Sequence, residues 1–555
     1  MKIWIASASA LLLTCACSAS KDATAALTAM HLDTGKSSPV IQYQGKSGSG
    51  DTITLNDVTL GGGTGDGMKA KSMVLGGLDM TAAGKPVLTS ITLKGLSPEK
   101  GLPEGMTFVI DSVGVEGLNP ATGEFVASSF TDTGASNPPA FKDWGFAKIS
   151  INGLKFNGDF SSMGVKGGKF NVGLQELSVS NLKDTVFASA KMTGFKGDFD
   201  VPAEAAGGNP IAGKFDFGTA DIKNIRGGVF ADAMGAAMSA AMTDPTKVST
   251  LEADIMKGMT SPLEGGFDEF TWTGLNAEAS GAKLVVSPVK ETITRDAKGI
   301  ATGLNSPRTT ITFTSDPSGG AVGQAVTMML GMVGYPSNTI EFYGQASATF
   351  DPATDTTKYT DYNFGLTDGF DVKATASFQG LTKFISALMA SMTSFESTLK
   401  ADDPFAPKTD DGAKPATPAP EPDVAGFEAL KVVDLDVTVT DKTLVNLLLG
   451  LGGMTGMGGD VETLRTDVIN MLQGMGADLT SAGVDQTVAN ELTAALAAFV
   501  KQPGSLNIKL KPPTPISFAD QTSKATKQSL GFSATFTPSG AAPKPAAPAK
   551  PAKPN

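Results

Sequence analysis

The chain has 555 residues, 41% apolar and 18% charged, a globular composition with room for two to four domains. A net charge of −12 without a basic cluster excludes a nucleic-acid groove and disfavours adsorption to anionic headgroups. Both cysteines fall within the first 17 residues, which leaves the remainder without disulfides, thiolate metal sites or cysteine nucleophiles.

Residues 1–17 read as an export signal. Lys2 is the only charge before Lys21, and Ile3–Leu13 forms an apolar run too short for a normal membrane span. The run ends in Leu13-Thr14-Cys15-Ala16-Cys17. This resembles the lipobox of bacterial lipoproteins, with Cys17 as the lipidated residue and Ala16 in the small position before it. The resemblance implies a lipid-anchored envelope protein, and Ser18 in place of Asp implies the outer membrane, facing the periplasm. The other reading is an ordinary secretory signal cut after Ala19, which leaves a soluble periplasmic protein.

Residues 18–50 are small and polar and read as a tether. They hold the only histidine, His31, so a Ser-His-Asp triad and the usual zinc sites lack their ligands.

Residues 51–400 read as a β-rich body. A short phrase returns through them and once beyond: apolar, any, apolar, any, then Gly, Asn or Asp, then apolar. It reads ITLNDV from Ile53, MVLGGL from Met73, ITLKGL from Ile91, VGVEGL from Val113, ISINGL from Ile149 and LSVSNL from Leu177. It continues as AKMTGF from Ala190, ADIKNI from Ala220, FTWTGL from Phe270, ASFQGL from Ala376 and LKVVDL from Leu430. Its first half alternates with the period of a strand, and its fifth position tolerates a positive φ. These are expected to be strand ends repeated along a sheet. The copies start 20, 18, 22, 36, 28, 13, 30, 50, 106 and 54 residues apart, too uneven for a solenoid or propeller. The expected fold is mainly β, α+β overall: a large twisted antiparallel sheet or open barrel-like body with short helices, plus a smaller α+β unit at the C-terminal end.

The glycine-rich run 61–67 lacks the Gly-Lys-Ser/Thr end of a phosphate loop and reads as a turn. Short helices are expected at 229–242, 247–259, 321–333 and 381–399. The first carries Met234, Met238 and Met242 at a spacing of four, and the third carries Met328 and Met332. Methionine is flexible and polarisable, so these side chains either line an apolar groove on the sheet or fill a loosely packed core. Asp351, Asp355, Asp361, Asp368 and Asp371 crowd one stretch without EF-hand spacing and are expected in hairpin turns.

Residues 401–425, rich in Pro and Asp, read as a linker, and 426–538 as a smaller α+β domain. That domain is expected to hold a strand at 430–440, helices at 444–451, 461–475 and 488–500, and strands at 505–511 and 530–537. The tail 539–555 is a Pro/Ala/Lys repeat. The segments VVDLDVTVTDKTLVNLLLGL and KQPGSLNIKLKPPTPISF resemble the AsmA-like and YdgA-like sheet proteins of the bacterial envelope. The resemblance implies a part in envelope lipid homeostasis. No pattern implies a cofactor. The expected function is non-catalytic binding of a lipid or an envelope partner protein, with a structural scaffold or adhesin as the alternative and a carboxylate hydrolase as a remote one.

Overall fold

The computed structural model describes residues 23–36, 40–61, 67–130, 139–160, 165–226, 261–332, 335–388, 428–454, 460–517 and 526–539. Cys17, most of the glycine-rich run, Met234, Met238, Met242, the linker and the Pro/Ala/Lys repeat lie outside them. The fold is mainly β and antiparallel, as expected, and divides into two compact units.

The first unit spans Met1–Thr327 with Ile385–Asp423. It begins with α1 (Ala23–Ala29), then β1 (Ile41–Gln42), β2 (Gly45–Ser49), β3 (Thr52–Leu60), β4 (Met68–Gly76), the small pair β5 (Asp79–Met80) and β6 (Pro86–Val87), β7 (Ser90–Pro98) and β8 (Thr107–Glu116). After α2 (Pro120–Ser128) come β9 (Phe146–Asp159), β10 (Lys169–Lys183), β11 (Val186–Thr193), β12 (Lys196–Val201), β13 (Ile211–Asp216) and β14 (Thr219–Arg226). The unit continues with β15 (Glu269–Trp272), β16 (Leu275–Ala279), β17 (Ala282–Val286), β18 (Val289–Arg295) and β19 (Ala301–Ser315), and the division falls inside α3 (Ala321–Met332).

Strands β3, β4, β7, β8, β9 and β10 pair in that order. Beyond β10 each strand comes as two halves. One row runs β11, β14, β15, β18 and the other β12, β13, β16, β17; both meet on β19.

The repeated phrase explains the halves. Its fifth residue has a positive φ in ten of the eleven copies: Asp57, Gly77, Gly95, Gly117, Gly153, Asn181, Gly194, Asn224, Gly274 and Gly380. Only Gly77, Gly117 and Gly380 follow the end of a strand; the others lie within a strand or between its halves. The expectation of strand ends is therefore corrected: most copies mark a kink in a strand that goes on. The kink matters because positions three and six are an odd number apart and would face opposite sides of a regular strand. A left-handed residue between them turns both inward, as at Leu55 (0% exposed) and Val58 (1%). The facing strand changes sides at the same level, since Ala70 and Met73 are both buried, and pairing resumes in register (Asn56 with Ser72, Val58 with Ala70).

The nine copies of this unit lie level with one another. Their second residues form one unbroken cross-strand row: Thr54, Val74, Thr92, Gly114, Ser150, Ser178, Lys191, Asp221 and Thr271. The repeat is regular in space although irregular in sequence, because turns and insertions of any length fit between strands that keep their register. The kinks form two parallel lines. Gly77 stands against Thr89, six residues before Gly95, so the lines are roughly 20 Å apart.

The core of this unit lies under β3–β9, where α1 and α2 cover the sheet with Leu27, Met30, Val126 and Ala127. Asn119 caps α2 by accepting from Thr122 N at 2.9 Å, with Pro120 in its first turn. The tether expected at 18–50 is corrected: Ala26, Leu27, Met30 and Leu32 are buried, and β1 and β2 join the sheet. Small residues made this stretch look unstructured, yet they let α1 lie close on β5 and β6.

The second unit spans Met328–Phe384 with Val424–Asn555. Its sheet runs β20 (Thr339–Asp351), β21 (Thr356–Leu366), β22 (Phe370–Gln379), β23 (Lys431–Asp441), β24 (Gly504–Leu510) and β26 (Ser533–Pro538), with β25 (Ile516–Ser517) on the start of β23. Helices α4 (Leu444–Met454), α5 (Val461–Ser481) and α6 (Gln486–Lys501) fall where expected, and α7 (Lys527–Leu530) is short. Asp460 and Asp485 cap α5 and α6. Val488, Leu492 and Ala495 of α6 pack on Leu506, Ile508 and Ala534. The boundary expected at 426 moves back towards 328, because β22 and β23 pair along their length from Phe370–Asp441 to Gln379–Lys431. A Pro-rich composition signals a linker, but it does not say whether the strands on either side are partners.

Candidate functional site

The phrase's first and third residues build two apolar rows across the first sheet. One row is Leu55, Met73, Leu93, Val113, Ile151, Leu177, Met192, Ala220, Trp272 and Val289. The other is Ile53, Leu75, Ile91, Val115, Ile149, Val179, Ala190, Ile222, Phe270 and Glu291. Past the first kink line the same face continues through Leu96, Ile110, Leu154 and Leu174, and further along through Leu275, Val286 and Ile311.

Burial changes along these rows. Under α1 and α2 Leu55, Met73, Leu75, Ile91, Val115 and Leu96 are buried, and Ile53, Leu93 and Val113 are half-buried against the same core, which Ile149, Ile151 and Val179 of β9 and β10 also touch. From β9 onward the described row residues are half-buried or open, reaching 39% exposure at Leu177 and 44% at Ile311. The face is also rich in aromatic rings: Phe156–Phe170 at 4.9 Å between centroids, Phe195–Phe215 at 5.3 Å and Phe217–Trp272 at 4.6 Å. Phe170 and Phe215 lie over Gly158 and Gly197 on the facing strand, filling the space those glycines leave. Trp272 donates its Nε1–H to the Phe217 carbonyl at 2.6 Å, so its polar atom is satisfied and its ring is left for apolar contact. Five interstrand steps from β9 to β18 give an apolar strip roughly 24 Å long. That exceeds the ~15 Å depth that acyl chains occupy in one leaflet.

The opposite face of the strip is polar. Ser150 and Ser178 are buried there beneath a Lys148–Glu176 pair at 2.8 Å. Beyond the first kink line, polar positions of β9, β10, β12, β13 and β16 line a cleft of about 640 Å³. Lys155, Lys196 and Lys214 are balanced in it by Asp198, Asp216 and Glu278, with Lys214–Glu278 paired at 2.7 Å.

At the far end of β14, β15 and β18, Arg295 is 6% exposed. It holds Glu264 through both terminal nitrogens (2.6 and 2.7 Å) and Asp268 through Nε (2.7 Å), while Arg226 takes the other Asp268 oxygen at 3.1 Å. Burial works to raise both carboxyls, but these guanidinium contacts outweigh it and hold Glu264 and Asp268 below the usual range. The cluster ties three strand ends together.

Of the methionines expected at a binding site, Met328 stands on α3 at 64% exposure, and Met332 closes the same helix. Instead, Met192 is the methionine of the half-buried rows. The rows were legible as the phrase itself, but their shared face depends on register, which no single strand encodes. His31 follows α1 with φ 55. Asp351 turns the β20–β21 hairpin, accepting from Ala353 N at 3.0 Å and the Thr354 hydroxyl at 2.8 Å, while Asp361 takes Gln345 at 2.7 Å. Among the described residues no three metal-ligating side chains converge, and no helix is long and apolar enough to cross a membrane.

The fold and the strip define a β-sheet protein with an open apolar face. A family model described as "Uncharacterized protein" matches residues 363–535, from within β21 into β26. No curated protein and no solved structure matches the chain.

Proposed function

We propose that this chain is a non-catalytic envelope lipoprotein, anchored at Cys17 and facing the periplasm from the outer membrane, that binds an amphipathic lipid along the open apolar strip of β9–β18. The supporting observation is the change along the rows: most of their positions on β3–β8 are buried, whereas none of the described ones on β9–β18 is. Each methylene laid on such a surface contributes up to about 0.8 kcal/mol. Ten of them offset the ~4–15 kcal/mol that association costs only in part or narrowly, which suits a carrier that must also release its cargo. The overall charge of −12 favours lipid held by its chains over adsorption to an anionic surface.

Native mass spectrometry with solvent extraction tests this on the chain released gently from cells. A stoichiometric lipid is expected. A bare mass, under conditions in which a control carrier keeps its cargo, contradicts the reading.

A further inference from the structure

The two rows between the kink lines hold twenty side chains from β3 to β18, and one of them is charged. Glu291 occupies the position directly across from Phe270, where every other strand of its row places an apolar residue or alanine. Its strand alternates Val289, Glu291 and Ile293 on successive same-side positions, so the carboxylate stands where the pattern calls for a hydrophobe. It is half-buried, and no described residue gives it a hydrogen bond or an ion pair. Burial alone raises its pKa, without a compensating charge. Pairing to the next strand stops beside it, at Thr292–Asn305, which leaves that side of Glu291 free of a ladder partner.

We propose that Glu291 is the head-group recognition residue of the strip and that it selects amphiphiles with a cationic ammonium head. This rests on the apolar strip being a lipid site. A carboxylate held against apolar surface without a partner is costly, and a ligand ammonium supplies the missing charge where solvent screening is weakest. Phe270 lies directly opposite and Trp272, whose ring also packs on Phe217, one same-face position along, within the roughly 5–8 Å at which cross-strand neighbours interact, so aromatic side chains flank the carboxylate. The geometry also orients the ligand: head at β18, chains running back over β15, β14, β11 and β10.

Trp272 provides the readout. In the chain carrying Trp4→Phe and Trp144→Phe it is the only indole, and lipids brominated in the acyl chain quench it on contact. Brominated phosphatidylethanolamine is expected to quench at about tenfold lower concentration than brominated phosphatidylglycerol. Glu291→Gln, which keeps the shape, should abolish that ratio, chiefly by raising the phosphatidylethanolamine concentration needed; Glu291→Asp should retain part of it. Equal quenching by both lipids in the parent chain, or a ratio that survives Glu291→Gln, overturns the role of Glu291 and spares the lipid site. Quenching by neither lipid overturns the lipid site itself.

Discussion

Gly153 carries φ 66, and a Cβ there would meet Asp111 Oδ2 at 2.0 Å, so conformation and space both require glycine. Gly153→Ala is expected to destabilise the first unit by about 1–2 kcal/mol, the cost of the left-handed region for a side chain. Gly173→Ala on the neighbouring strand is expected to stay within about 0.5 kcal/mol, because its Cβ would find ordinary contact at 3.7 Å from Leu154 O. Urea midpoints of the two variants decide whether the kink line, rather than glycine content, carries the fold.

Charge makes a second residue-scale prediction. Glu264 and Asp268 sit below their ordinary values of 4.5 and 3.8, so their contribution is present above those values and is lost as pH falls through the lowered ones. Replacing buried Arg295 by Met should cost about 3 kcal/mol at pH 7, since it strands Glu264 and leaves Asp268 with Arg226 alone, and the deficit should shrink in acid. Glu291 has the opposite sign. Its raised pKa makes it a cost once ionised, so Glu291→Gln should raise the unfolding midpoint at pH 7 and leave it unchanged below about pH 4.5. Midpoints followed from pH 3 to 8 separate the two carboxylate classes.

Among the elements, the strands show what sequence could and could not reveal. Alternation and turn residues placed β23, β24, α4 and α6 close to their observed bounds, because those signals are local. The phrase was visible too, but its meaning as an in-register kink depends on β3, β7 and β9 lying level, a non-local fact. Glu291 was legible in principle as a charge at an apolar beat of β18. The same apolar pattern also serves two ends: Leu55 and Leu177 hold equivalent positions, yet one is core and the other is 39% exposed. Leu55→Asp should unfold the first unit, whereas Leu177→Asp should leave circular dichroism and the thermal midpoint nearly unchanged and remove lipid binding. Similar loss of structure in both would make the whole row core.

At the scale of the whole molecule, composition misled where pairing decides. The Pro- and Asp-rich stretch 401–425 separates β22 from β23, which are hydrogen-bonded partners, and the smallness of residues 23–32 hid a helix that closes the core. A fragment covering 426–538 therefore loses the partner of β23 and is expected to fail to fold, whereas one covering 335–539 should give a cooperative thermal transition. The matched span 363–535 begins before β22 and so includes both partners.

On the proposed function, one face of the first sheet, from β9 to β18, holds lipid. A photo-crosslinking residue at Leu177, with a second at Lys191 on the polar face of the adjoining strand, reports on that face in cells. Lipid adducts at position 177 and none at 191 are the expected result. Adducts to protein alone at 177, or equal lipid labelling at both positions, would contradict it.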